Sequence, residues 1–96
     1  MKTTITFLLL IFSFNVFSQS IISGKVVDEQ GKPIAGANIY LEGTYDGASS
    51  SETGDFTFET NTAGAQILVV SFLAFETVKT NIDVANFKNK TIKLKD

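Results

Sequence analysis

Side-chain alternation is the sequence feature that most restricts what this chain can fold into. Beyond position 20, apolar and polar residues alternate with a period of two in short runs, and turn-forming residues separate these runs. In the first run, Ile22, Gly24 and Val26 fall on one face, and the residues between them are polar. No window after Gln19 keeps a helical period over a useful length. The pattern therefore predicts an all-β protein.

The predicted strands are short and follow one another at intervals of roughly 8–12 residues. This spacing predicts a seven-stranded Greek-key β-sandwich of the transthyretin or immunoglobulin type. A closed eight-stranded barrel is disfavoured, because too few residues remain to close it. The most hydrophobic run is expected to form a central strand covered on both faces. The predicted strands cover about residues 21–27, 37–42, 48–51, 56–59, 66–75, 76–84 and 91–94.

Residues 1–18 have the composition of a secretory signal peptide. Lys2 supplies a short positive start, and an apolar run follows over residues 5–17. That run is too short to cross a hydrocarbon core of about 30 Å as a helix. The alternative interpretation is a short membrane anchor that is never cleaved.

A cleavage position is also predicted. Val16 and Ser18 are small enough for signal peptidase and precede a cut before Gln19. No cysteine follows the apolar run, so lipid attachment at a mature N-terminal cysteine is excluded. We therefore expect residues 19–96 to form one exported β-sandwich domain.

The absence of histidine and cysteine narrows the chemistry that this chain can perform. The usual zinc sites, Ser–His–acid triads and thiol nucleophiles all require one of these residues. The glycines are too scattered for a phosphate-binding loop, and Asp46, Glu52 and Asp55 match no calcium-loop spacing. The sequence therefore predicts a non-enzymatic protein with no catalytic residue, no cofactor and no metal.

The charge balance disfavours nucleic acid and anionic membranes as partners. Eight basic residues stand against ten acids, which gives a formal net charge of −2. Four lysines cluster near the C-terminus, and we interpret them as solvated charges on an edge strand, where lysine opposes edge-to-edge pairing. No transmembrane span is expected once the signal peptide is removed.

Contact residues are expected among exposed aromatic residues and at a weak edge strand. Surface tyrosines and phenylalanines bind protein or sugar, and a free sheet edge can accept a partner strand. The small-residue segment 48–51 is predicted to be such an edge, beside the loop 43–47. We expect an envelope protein as the partner, with a carbohydrate as the alternative. The candidate contact residues are Tyr40, Tyr45, Ser49, Ser50 and Phe75.

Residues 22–84 resemble the carboxypeptidase-regulatory-like domain. The resemblance rests on GKVVDEQGKPIAGANIYLEGT at residues 24–44, ETGDFTF at 52–58 and ILVVSFLAF at 67–75. Two departures stand out: the family usually has Thr-Asp at positions 50–51 and Gly-Tyr at 74–75, where this chain has Ser-Ser and Ala-Phe.

This resemblance implies an accessory domain with a transthyretin-like sandwich. Such domains occur beside metallocarboxypeptidases, where they do not carry the zinc, and at the N-terminus of TonB-dependent outer-membrane receptors in Bacteroidetes. The implied location is the periplasm or the outer membrane, with secretion as a further option. The chain is then either a free-standing exported module or a fragment of a longer receptor without an independent role.

Export makes the first testable prediction. We expect the mature protein to begin at Gln19, because signal peptidase cuts after the small residue Ser18. Mass spectrometry of periplasmic and secreted fractions measures the N-terminus directly. Recovery of a chain that still begins at Met1 would show that the segment is an uncleaved anchor.

Overall fold

A computed structural model describes residues 19–96, and these residues form β-strands joined by short turns. One single 3-10 turn, Val84–Asn86, precedes the last strand. The signal peptide predicted over residues 1–18 lies outside the described residues. The strands are β1 (Ser20–Val27), β2 (Asn38–Leu41), β3 (Gly47–Ser49), β4 (Asp55–Thr60), β5 (Ala65–Ser71), β6 (Val78–Asp83) and β7 (Lys90–Lys93).

The strands form two sheets that pack face to face. One sheet has three strands in the order β4-β1-β7, and the other has four strands in the order β3-β2-β5-β6. All pairs are antiparallel except β1 and β7, which run parallel. Hairpins join β2 to β3 and β5 to β6, and each remaining connection crosses from one sheet to the other. The predicted seven-stranded sandwich is therefore confirmed.

The core lies between the sheets and is built from alternate residues of each strand. In β1, Ile22 and Val26 are fully buried, and in β4 the rings of Phe56 and Phe58 point inward. Burial of one large apolar side chain stabilises a fold by roughly 1.5–3 kcal/mol. The four-stranded sheet contributes Ile39, Leu41, Leu68, Val70 and Ile82, and the remaining core includes Val84, Phe87, Ile92 and Leu94.

Gly24 allows the two outer strands of the smaller sheet to lie close to the middle one. A Cβ atom at this position would stand 2.8 Å from the ring of Phe56 and would also collide with the main-chain carbonyl of Lys90. The missing side chain therefore leaves room both for the inward phenylalanine of β4 and for the backbone of β7.

The predicted strand over residues 66–75 is too long. β5 ends at Ser71, and the chain then reverses, with the Phe75 N–H donating to the Phe72 carbonyl at 3.2 Å. The apolar run continues through the turn because Phe72 and Phe75 pack on the rim of the core, with ring centroids 6.0 Å apart. Hydrophobicity alone therefore marked the buried centre of β5 but not the end of the strand, and it did not show that Leu73 in the turn is exposed.

Ser50 fastens the connection between the two sheets. Its hydroxyl donates to the Ile34 carbonyl at 2.6 Å and accepts from the Ala37 N–H at 2.9 Å. Its own N–H donates to the Ala37 carbonyl, and its carbonyl accepts from the Gly36 N–H. One residue thus satisfies four backbone groups of the segment that leads into β2.

This position corrects the prediction that Ser50 belongs to an exposed contact surface. The residue is only 7% exposed, and its hydroxyl is fully engaged inside the protein. The edge strand ends one residue earlier, at Ser49. A run of three serines gave no means to tell which hydroxyl points inward.

The substitution Ser50→Ala should destabilise the domain by about 2–4 kcal/mol, because it leaves a buried carbonyl and a buried N–H without partners. A domain of this size has a total stability of roughly 4–12 kcal/mol, so thermal unfolding should report a clear drop. Ser49→Ala is the matched control: this neighbour is exposed, and its loss should change the stability by less than about 0.5 kcal/mol. Equal unfolding temperatures for the two variants would contradict the assigned role.

Candidate interaction surface

Tyr40 lies on the outer face of the four-stranded sheet. It is opposite Gly47 of the edge strand β3 and opposite Val69 of β5. Its ring is 39% exposed, as the alternation predicted for an outward residue. Val69 points to the same face yet is only 1% exposed. Neighbouring side chains therefore cover the centre of this outer face and keep water away from it.

An ion pair lies across this outer face. Lys79 of β6 is opposite Val69, and its Nζ lies 2.9 Å from Oε1 of Glu42, at the end of β2. The hydrogen bond that Lys79 donates to the Glu42 carboxylate raises the pKa of Lys79 above its ordinary value. Both side chains are largely exposed, so the pair contributes little to stability. Its effect is to fix a positive charge on the edge strand β6.

Tyr45 is at the tip of an ordered loop that follows β2. It is fully exposed, whereas the residues on either side of it hold the loop together. The Thr44 hydroxyl donates to the Leu41 carbonyl at 2.9 Å and accepts from the Asp46 N–H at 3.0 Å. The carboxylate of Asp46 in turn accepts from the Thr60 hydroxyl at 2.7 Å. The loop therefore presents Tyr45 from a fixed base.

Phe75 lies at the opposite end of the sandwich from Tyr45. The loop of Tyr45 adjoins the beginning of β5, because Glu42 bonds to Ile67, whereas Phe75 follows the end of β5. Phe75 is half-buried and packs against the core. The three candidate aromatic residues therefore do not form one shared platform.

The turn that contains Phe75 has an exposed apolar tip that sequence reasoning missed. Leu73 is 86% exposed, and Ala74 beside it has a left-handed φ of 71°. The signal was present in the sequence, because the related domains usually have glycine where this chain has Ala74. That glycine marks a turn, and Leu73 lies in the same turn beside it.

The edge of β3 offers unpaired backbone groups. Ala48 is opposite Ile39 of β2. The carbonyl of Asp46 also bonds to β2, and the N–H of Ser50 bonds to the segment before β2. Because backbone groups alternate in direction along an antiparallel strand, the N–H and C=O groups of Gly47 and Ser49 point away from the sheet. Together with Tyr40 and the loop that carries Tyr45, this edge forms the candidate surface.

Acidic groups do not gather into a metal site within residues 19–96. Asp46 bonds to Thr60 at one end of the sandwich, whereas Asp55 accepts from the Thr53 hydroxyl at the turn before β4. The three acids considered from the sequence are therefore divided between separate turns.

The fold and its surface define the class of the protein: a small β-sandwich domain with ordered polar loops and free sheet edges. Residues 22–96 match the family model of the CarboxypepD_reg-like domain, and the chain belongs to this family. The resemblance proposed from the sequence motifs is confirmed.

Individual relatives agree with this assignment. The TonB-dependent receptor P39 of Formosa agariphila is 31% identical over 90 residues, which are 90% of this chain and 9% of the receptor. The chain thus spans less than a tenth of the length of that relative. Among the described residues, no helix is long and apolar enough to cross a membrane.

Solved structures share the fold. A crystal structure of a type II cohesin–X–dockerin complex from Acetivibrio cellulolyticus superimposes with a TM-score of 0.68 at 19% identity, over 78% of this chain and 56% of that one. The 3-chlorocatechol 1,2-dioxygenase of Rhodococcus opacus 1CP gives a TM-score of 0.58 at 15% identity, over 84% and 60% of the two chains. At these identities the likeness concerns the sandwich alone.

Ala74→Gly should stabilise the domain by about 0.5–1 kcal/mol, because glycine adopts the left-handed backbone conformation without a Cβ penalty. Ala63→Gly is the matched control, since this exposed loop alanine has an ordinary φ and its replacement should lower the stability. Chemical denaturation measures both changes. A loss of stability in both variants would show that position 74 carries no strain.

Proposed function

We propose that this chain is an exported, non-catalytic interaction module of the bacterial cell envelope. It corresponds to the accessory domain that precedes the membrane-inserted part of TonB-dependent receptors. The single observation that carries the proposal is the match to a TonB-dependent receptor over nearly the whole domain. The family match over residues 22–96 agrees with it.

The chemistry of the chain supports a binding role. Its sequence supplies no imidazole and no thiol, and the described hydroxyls of Ser50, Thr44 and Thr60 are engaged in structural hydrogen bonds. The fold offers instead the free backbone N–H and C=O groups of its edge strands, which lie beside ordered loops. The same relationship to receptors supports a periplasmic or outer-membrane-associated location.

Binding would proceed by strand addition at β3. An extended segment of the partner would take up the free N–H and C=O groups of Gly47 and Ser49 and continue the four-stranded sheet. Tyr40, on the outer face beside this edge, would contact the partner's side chains, and Tyr45 would extend the contact beyond the end of the strand. Main-chain bonds would supply affinity, and the two rings would supply selectivity.

Neither alternative gains a supporting observation. Carbohydrate binding was predicted through the rings of Tyr40, Tyr45 and Phe75 together, and Phe75 lies at the far end of the sandwich from Tyr45, so the three rings do not share one surface. A receptor fragment without a role of its own would bind no envelope protein specifically, so the experiment below also tests that possibility.

Affinity capture from envelope extract tests the proposal. The full chain and its Ser49→Ala variant should retain the same envelope protein, whereas Ser49→Pro should lose it. Proline at position 49 removes an N–H that points away from the sheet, so it blocks an added strand without breaking the pairing to β2. Circular dichroism should show that both variants remain folded like the unmodified chain.

Two results would overturn the proposal. Failure to capture any specific protein would favour the fragment without a role. Equal capture by Ser49→Pro would show that the partner binds elsewhere, and that β3 is not the contact edge.

A further inference from the structure

The opposite edge of the four-stranded sheet is a longer free strand, β6. The Glu42 N–H donates to the Ile67 carbonyl, so the odd residues of β5 bond to β2 and the even residues bond to β6. The register pairs these even residues with Val78, Thr80 and Ile82. The backbone groups of the three odd residues of β6 therefore point away from the sheet: Lys79, Asn81 and Asp83.

The order of these three residues is self-complementary. When two antiparallel copies of β6 are aligned on Asn81, this residue is opposite its own equivalent. Lys79 of each copy is then directly opposite Asp83 of the other, on the same outer face. Opposite charges at facing positions of an antiparallel pair stabilise it, and the lysine that would repel an unrelated edge finds an acid instead.

Other exposed strands do not have this property. In β4, the backbone groups of Asp55, Thr57 and Glu59 point away from the sheet. The reason is that Val26 and Gly24 of β1 are opposite even-numbered residues, so the even residues of β4 are the ones that bond to β1. A symmetric pair centred on Thr57 would set Asp55 against Glu59 and place acid opposite acid. β3 has only three residues, and β7 carries lysine at both ends.

The sandwich is also open at β6. Val78 and Thr80 point toward the core side but are only half-buried, unlike the fully buried inward residues of β2 and β5. A groove of about 310 Å³ runs beside the strand, with Ile82 and Phe87 among its lining residues. A second β6 would cover this opening and bury the side chains that face it.

We propose that β6 pairs with β6 of a second copy of this chain. The product is a continuous eight-stranded sheet with a twofold axis through Asn81. Four backbone hydrogen bonds would form: two between the Asn81 residues, and one from each Asp83 N–H to the facing Lys79 carbonyl. The Asp83 carbonyl already accepts within the 3-10 turn that this residue caps. Lys79 would lie between its present partner Glu42 and the incoming Asp83. Asp83 now accepts from Ala85 N–H and from the Asn86 amide, and its carboxylate stays exposed beyond them.

Charge exchange tests this pairing. Sedimentation velocity over a range of concentrations should show a dimer for the full chain after export. Lys79→Glu and Asp83→Lys should each weaken dimerisation by roughly tenfold or more, because each sets like charges opposite one another twice. An equimolar mixture of the two variants should restore a dimer that contains one chain of each kind, which native mass spectrometry identifies.

Lys93→Glu is the matched control, since this exposed lysine of β7 lies in the other sheet and should leave dimerisation unchanged. Amide exchange on the unmodified protein gives a second measurement that needs no variant. The N–H groups of Asn81 and Asp83 should become protected as the concentration rises.

A monomer at every concentration would overturn the pairing, as would a mixture of the two charge variants that stays monomeric. A dimer that persists in Lys79→Glu would place the contact on another surface. If strands of unrelated peptides protect the amides of Asn81 and Asp83 while the chain stays monomeric, the edge takes up a different partner, and self-pairing is wrong.

Discussion

Burial of apolar side chains between two sheets holds this domain together, because its sequence contains neither cysteine nor histidine for a covalent or metal cross-link. Every other feature follows from the need to bring the sheets into contact. Gly24 has no side chain, and this leaves room for the ring of Phe56 in the core. Ser50 then holds the segment that passes from one sheet to the other, and it satisfies the backbone groups that this passage buries.

The fold could be predicted from the sequence because apolar and polar residues alternate with a period of two along strands that are buried on one face. Ile39 and Leu41 were placed inward and Tyr40 outward from alternation alone, and the structure agrees. The strand ends were harder to predict than the strands. Phe72 and Phe75 lie beyond the end of β5, and they are apolar because they pack against the core from a turn. Tertiary contact, and not local preference, decided those positions.

The contact surface was harder to predict than the fold. Exposure of Tyr40 and Tyr45 could be inferred, but their distance from Phe75 depends on which end of β5 each loop adjoins, and a sequence does not state that order. Likewise, Ser49 and Ser50 are adjacent and chemically identical, yet one is exposed and the other is the most extensively bonded serine of the connection. The charge pattern of β6 became meaningful only once its free side was known.

The parallel pairing of the first and last strands has a mechanical consequence. β1 and β7 lie side by side from Gly24 and Lys90 to Val27 and Lys93, and the chain enters and leaves this pair at opposite ends. Tension applied between Ser20 and Leu94 would therefore act along the strands, so that the ladder bonds share the load and must slide past one another together. A hairpin pulled apart from its open end yields one bond at a time. The topology thus makes this small sandwich resist extension along the line of its own chain.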